Sequence, residues 1–275
     1  MILDCHQHFW SIERGDYGWL TPQDSALYRD FSPDDFRQAA HRSDVAATIL
    51  VQAAASVAES HYLLQIAEAE AFVRGVVGWI DFEAADVLDQ LEQLARSPWL
   101  KGLRPMVQDI EDPEWLLRPE FAPIFEAMLA RQLRLDGLMR SGQLSQLIAL
   151  ARRYPTLPIV LDHAGKPPIE SGDSGAWAIA IAALAACPSV YCKLSGLWSE
   201  AGDDRSLARL QPYVDHLVTC FGTSRLMWGS DWPVLTAVGG YGGWLDQSRQ
   251  LVSRLSGLEQ RAIFFGTGFR FYGVE

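Results

Sequence analysis

Three imidazoles and one carboxylate occupy the positions in this chain where chemistry could be done. The first apolar run ends in His6-Gln7-His8. Successive side chains of a strand alternate faces, so residues two apart point the same way. Both rings can then converge on one point, a geometry that holds a metal ion or a water. A third histidine, His163, ends another apolar run just before Ala164-Gly165-Lys166-Pro167. Asp231 follows Trp228-Gly229-Ser230, and a carboxylate directly after a buried strand is costly unless a cation, a metal or several donors meet it. Singly, each has a plain structural explanation: surface histidines at a strand end, a satisfied core histidine, a paired acid. Together they read more simply as one shared site.

Such a site needs elements that bring distant residues to one place. Eight short apolar, β-branched runs span residues 2–6, 47–52, 73–81, 100–106, 133–139, 159–163, 190–195 and 226–230. Between them lie helix signals, among them Ser32-Pro33-Asp34-Asp35, with an N-cap, a first-turn proline and acids at the positive end of the dipole. Residues 84–96, 120–131, 143–153, 177–186, 207–221 and 243–255 also read as helices. Strands alternating with helices become parallel neighbours through right-handed crossovers. Eight such units close most economically as a single-domain (β/α)8 TIM-type barrel, with an open doubly wound sheet as the alternative. The length, 275 residues, is ordinary for such a barrel. Two loops are long, 11–31 after the first strand and 166–175 after the sixth. Both follow strand C-terminal ends, the barrel face where active sites are built.

Composition excludes several classes. Hydrophobic residues make up 49% and charged residues 21%, enough for a large core. The net charge is -11, and no Lys/Arg cluster stands out, so nucleic acid and anionic membranes are poor partners. The start runs from Met1 straight into Ile-Leu-Asp without a signal-peptide pattern, and no apolar stretch reaches membrane-span length. These features lead us to expect a soluble cytoplasmic protein, monomeric or homodimeric. Cys5, Cys187, Cys192 and Cys220 form no Cys-x-x-Cys pair and read as reduced thiols. Cys5, beside the histidines, is expected to pack outside the barrel interior rather than to react.

Seven ordered blocks carry a resemblance. They are Asp4-Cys5-His6-Gln7-His8-Phe9-Trp10 with Gly15-Asp16-Tyr17-Gly18-Trp19-Leu20, Gly102-Leu103-Arg104-Pro105, Asp162-His163-Ala164-Gly165-Lys166-Pro167, Lys193-Leu194-Ser195-Gly196-Leu197, Trp228-Gly229-Ser230-Asp231-Trp232-Pro233 and Gly266-Thr267. Over essentially the whole chain the sequence resembles amidohydrolase family 2, in the branch of the L-fuconolactonases and L-rhamnonolactonases. The resemblance implies a TIM-type barrel, hydrolysis of a cyclic sugar ester in carbohydrate metabolism, and a site at the strand ends already chosen. The chain departs from the two-metal members of the wider superfamily. Arg104 ends the fourth run, Lys101 stands at its wrong end, and 133–140 contains no histidine. A binuclear site therefore lacks its ligands. One divalent ion, zinc by donor type, would be held by His6, His8 and Asp231 with His163 near or in the shell; a metal-free site in which the same groups orient water stays open.

The implied mechanism adds water to a lactone carbonyl, with Asp231 as general base and His163 orienting water or shuttling a proton. Arg104 or Lys193 would meet the oxyanion, although a lysine inside an apolar strand can equally pair with a barrel carboxylate such as Asp136. Trp10, Tyr17, Trp19, Trp198 and Trp232 follow strand ends and could present flat faces to a sugar ring; each could also simply pack beneath a loop. Two other readings keep the barrel: metal-dependent non-oxidative decarboxylation of an aromatic or unsaturated acid, which needs a carboxylate-binding arginine, and ligand binding without catalysis.

Overall fold

In the computed structural model, which describes residues 1–274, eight parallel strands follow one another in chain order around a single sheet. They are β1 (Ile2–Gln7), β2 (Val45–Val51), β3 (Val73–Gly78), β4 (Leu100–Leu103), β5 (Arg134–Gly137), β6 (Ile159–Leu161), β7 (Val190–Leu194) and β8 (Leu226–Trp228). The barrel closes where the segment after β8 meets β1. His8 N–H donates to Trp232 O at 2.7 Å and Asp231 N–H to His6 O at 2.8 Å. The fold is the expected (β/α)8 barrel, and the open doubly wound sheet is excluded by this closure.

The strands stop earlier than the apolar runs that contain them. β3 ends at Gly78 although its run continues to Asp81, and β8 ends at Trp228 although its run continues to Ser230. At the C-terminal mouth the backbone peels into loops while side chains stay buried, so hydrophobicity outlasts pairing. Between the strands lie α1 (Pro33–Ala40), α2 (Val57–Ala69), α3 (Val87–Leu94), α4 (Ala122–Ala130), α5 (Leu144–Arg153), α6 (Gly175–Ala185), the short α7 (Leu197–Glu200), α8 (Leu207–Phe221) and α9 (Tyr241–Leu251). Ser32 forms the expected cap of α1 as a full capping box with Asp35. Helix α8 keeps the bounds read from the sequence. Helix α2 was not legible there, because polar Glu59 and Ser60 belong to its buried face and blur the pattern.

Two hydrophobic layers result. Leu50, Val76, Leu103, Leu135, Leu161 and Leu194 pack outward against the helices. Leu3, Cys5, Ile49, Val51, Val77, Val160 and Met227 form a separate inner cluster with Phe271, Tyr272 and Val274. Helix α11 (Thr267–Tyr272), which follows α10 (Gly257–Arg261), carries Phe271 and Tyr272 onto the barrel. This corrects the expectation for Cys5. The register of β1 on β2 slips between Asp4 and Gln7, and a bulge of this kind lets adjacent residues share a face. Cys5 thus joins the inner cluster, fully buried, and burial pushes its thiol far above the ordinary range. Among the described residues no helix is long and apolar enough to cross a membrane, and all four cysteines are free.

Candidate active site

At the mouth of the barrel three imidazoles present Nε2 to one carboxylate oxygen. Asp231 Oδ1 lies 3.3 Å from His8 Nε2, 3.7 Å from His6 Nε2 and 3.8 Å from His163 Nε2. Each ring is fixed through its other nitrogen by a residue at or just past the end of a different strand, β2, β7 or β6. His8 Nδ1 is 2.8 Å from Val51 O, and His163 Nδ1 is 3.0 Å from Ser195 Oγ. His6 Nδ1 is 3.4 Å from Asp162 Oδ1. A partner at Nδ1 fixes the orientation of each ring and turns its Nε2 toward the centre.

The backbone makes unusual concessions to bring these groups together. Residues His163 to Lys166 form one turn of left-handed helix, with φ of 51° at His163, 53° at Ala164, 68° at Gly165 and 50° at Lys166. Asp231 is left-handed too, at φ 61°. Each such non-glycine residue costs about 1–2 kcal/mol and persists only where the surroundings over-determine it. Two glycines supply the room: a Cβ on Gly196 would stand 2.7 Å from His163 Cβ, and one on Gly229 2.7 Å from His6 Cβ.

Beneath the imidazoles lies a layer of fully buried charge. Lys193 Nζ is 2.5 Å from Asp136 Oδ2, 3.0 Å from Asp162 Oδ1 and 3.0 Å from His6 Nδ1. Tyr272 of α11 donates its hydroxyl to Asp136 at 2.8 Å. Arg104 Nη1 lies 3.1 Å from both Asp162 Oδ2 and His6 Nε2, and its other nitrogens hold Gln52. Burial, then the Lys193 charge, drive His6 well below the ordinary histidine range, and burial pushes His163 down to about 4. Both are neutral at pH 7. Burial alone would raise Asp231, but the surrounding imidazoles, His163 first and then His8, outweigh it and hold the carboxyl below its usual range. Asp231 is thus ionised.

The site residues expected from sequence separate into three groups. His6, His8, His163, Asp231 and Arg104 meet, and all but His6 line a cavity of about 250 Å³. Lys193 does not reach that cavity: it is sealed between Asp136 and Asp162, the pairing alternative, because an ammonium in the barrel interior must be neutralised there. Of the aromatic residues only Trp19 lines the cavity, its indole N–H held 2.8 Å from Ala53 O. Trp10, Tyr17 and Trp232 are buried in the outer core, where Trp10 and Trp232 pack on Phe31. Trp198 packs on Trp244 and binds Gln247. Sequence reasoning missed Lys166 and Glu200, which line the cavity beside His163 and Asp231. Lys166 stood inside a quoted motif. The spacing of His163 and Lys166, three apart on a tight turn, was the available signal.

The donors suit a metal ion. One atom each from His6, His163 and Asp231 lie within 4.8 Å of one another. A tetrahedral zinc would place its donors roughly 3.4 Å apart, close to the Asp231 distances. With Nδ1 donating to Val51 O, His8 turns a lone pair toward Asp231 Oδ1, a contact that calls for a proton or a cation. The residues therefore fit one divalent ion. His6, His163 and Asp231 form the mutual set, and His8 reaches it through Asp231.

A model of the amidohydrolase family matches residues 3–274. The chain belongs to the amidohydrolase family. Within that family it is 45% identical to the L-fucono-1,5-lactonase of Burkholderia ambifaria, over 99% of this chain and 96% of the relative. It is 35% identical to the L-fucono-1,5-lactonase of Burkholderia multivorans, with the same coverage. A crystal structure of an amidohydrolase from Burkholderia multivorans with bound zinc superposes over all of both chains, with a TM-score of 0.94 and 34% identity.

Proposed function

We propose that this amidohydrolase opens a sugar 1,5-lactone, with an L-fucono-1,5-lactone-like ring as the favoured substrate. The observation that carries the reading is the convergence of three oriented imidazoles on one ionised carboxylate in a cavity of about 250 Å³. That volume is at the small end for ligand pockets and suits one ring. The whole-length relatives named as L-fucono-1,5-lactonases support the substrate class.

In this mechanism Asp231 accepts a proton from the attacking water as the new C–O bond forms at the lactone carbonyl, and His163 orients that water. Lys166 is the cation left for the developing oxyanion, because Arg104 is committed to Asp162, Gln52 and His6. Collapse breaks the ring C–O bond; the proton held at Asp231 passes to the leaving alkoxide, and the product is an open hydroxy acid. His6, His163 and Asp231 would hold a divalent ion, which would supply Lewis-acid polarisation. The engagement of Arg104 also removes the free arginine that a decarboxylase would need. The free thiols fit the reducing cytoplasm, where we place the enzyme in carbohydrate metabolism.

A pH-indicator screen over aldonolactones, corrected for spontaneous opening, tests the assignment. L-fucono-1,5-lactone should be among the best substrates, and a protein that opens none of them is not a lactonase.

A further inference from the structure

A second cavity, of about 410 Å³, adjoins the first and shares Trp19, Met106 and Asp109 with it. The catalytic end of the first pocket is built around Asp231 and His163, after β8 and β6. The shared wall is carried by the loops after β1 and β4. No lysine or arginine lines the second cavity, whereas Asp16, Asp81, Glu83 and Asp109 do. Asp16, Glu83 and Asp109 are paired with Arg14, Arg118 and Arg140 behind that lining, and a hydroxyl finds carboxylate acceptors there.

Trp79 and Trp115 line the same space. Trp115 is only 6% exposed, yet among the described residues its indole N–H has no protein acceptor, and neither has that of Trp79. Two donors are left for whatever enters. Trp115 lays its ring on Phe82 and Phe121, so what the cavity offers is indole donors and a carboxylate rim, the chemistry that holds the hydroxyls of a neutral sugar.

We propose that the second cavity is a subsite for a neutral sugar carried on the lactone ring, so that the enzyme also opens the lactones of disaccharides. The inference rests on the lactonase reading. With the carbonyl directed at Asp231, a substituent on the hydroxyl across the ring leaves the first pocket past Trp19 and enters the second. Such a substrate is the product of oxidising the reducing end of a disaccharide, so a sugar oxidase or dehydrogenase is the class of reaction that must supply it.

The test compares kcat/KM for lactobiono-1,5-lactone, glucono-1,5-lactone and L-fucono-1,5-lactone in three proteins: wild type, Trp79→Ala and Gly18→Phe. A Cβ built on Gly18, which borders the second cavity, meets nothing within 4 Å, so a phenyl ring can be added there without moving the backbone. The wild type should open lactobiono-1,5-lactone at least about tenfold more efficiently than glucono-1,5-lactone, the effect of about 1.4 kcal/mol of added binding. Both variants should lose that advantage, and Gly18→Phe should leave L-fucono-1,5-lactone turnover unchanged. A wild type that opens L-fucono-1,5-lactone but shows no preference for the disaccharide lactone overturns the subsite alone, as do variants that keep the preference. A wild type that opens none of the three lactones overturns the lactonase reading, and the subsite with it.

Discussion

His163 and Asp231 approach to 3.8 Å, and both do so from left-handed backbone, at φ 51° and 61°. Left-handed backbone is uncommon for any residue but glycine, even for His and Asp, so the site holds strain at the two positions whose side chains meet. The surrounding barrel maintains it: Asp231 N–H is bonded to His6 O, and His163 is backed by Ser195 and the bare face of Gly196.

The same left-handed turn turns Lys166 toward the pocket. Replacing Lys166 by Met should lower kcat about 10²–10³-fold with little change in KM, the usual cost of one lost oxyanion donor. Lys166→Arg should recover part of the loss. Steady-state kinetics on an aldonolactone decides it, and a loss confined to KM would assign Lys166 to ground-state binding instead.

Lys193 acts below the pocket. Lys193→Met leaves Asp136 and Asp162 buried without their ammonium, which should destabilise the fold by about 3–5 kcal/mol. Denaturant unfolding measures this. A change under about 1 kcal/mol would mean that the acids are neutralised otherwise, by protonation.

Glu59 gives a pH signature. Its carboxylate receives the Ala53 and Ala54 N–H groups, at 3.0 and 2.8 Å, and pins the loop after β2 that carries Gln52, the partner of Arg104. Burial, opposed by these bonds, pushes the carboxyl up to about 7 from 4.5. A folded-state acid with a raised pKa stabilises the fold below pH 4.5 and loses that contribution as pH rises through 7. Stability relative to Glu59→Gln should therefore fall by about 3 kcal/mol between pH 4.5 and 7.5. Asp4 and Asp136, both pushed up to about 6, titrate in both proteins and cancel. A difference that stays flat with pH would refute the raised pKa.

Metal content should follow the mutual donor set. Purified protein supplied with zinc should retain about one equivalent, by elemental analysis, consistent with three protein ligands and an open position. His163→Ala should lose it. Retention of a full equivalent by that variant would remove His163 from the ligands.

How much of this could be read from the sequence follows from what a one-dimensional pattern records. Strand alternation placed His6 and His8 together, and strand-end positions brought in His163 and Asp231, because a parallel barrel puts all such ends at one mouth. The bulge in β1 left no trace in hydrophobicity, so Cys5 was assigned to the wrong face. Trp10, Tyr17, Trp198 and Trp232 looked like sugar platforms because large aromatics near a mouth serve packing and binding alike. Lys166 was hidden because a left-handed turn running through His163 and Ala164 contradicts the local preferences of those residues. The buried pairing of Lys193 with Asp136 was legible as an alternative, since an ammonium in an apolar strand needs a partner.

The most direct test is turnover of the best aldonolactone by Asp231→Asn, with folding checked by circular dichroism and spontaneous opening subtracted. The amide keeps the shape and removes the proton acceptor, so kcat should fall by at least about 10²–10⁴-fold, the range for a general base. A folded Asp231→Asn protein that opens the lactone at the wild-type rate would contradict the account.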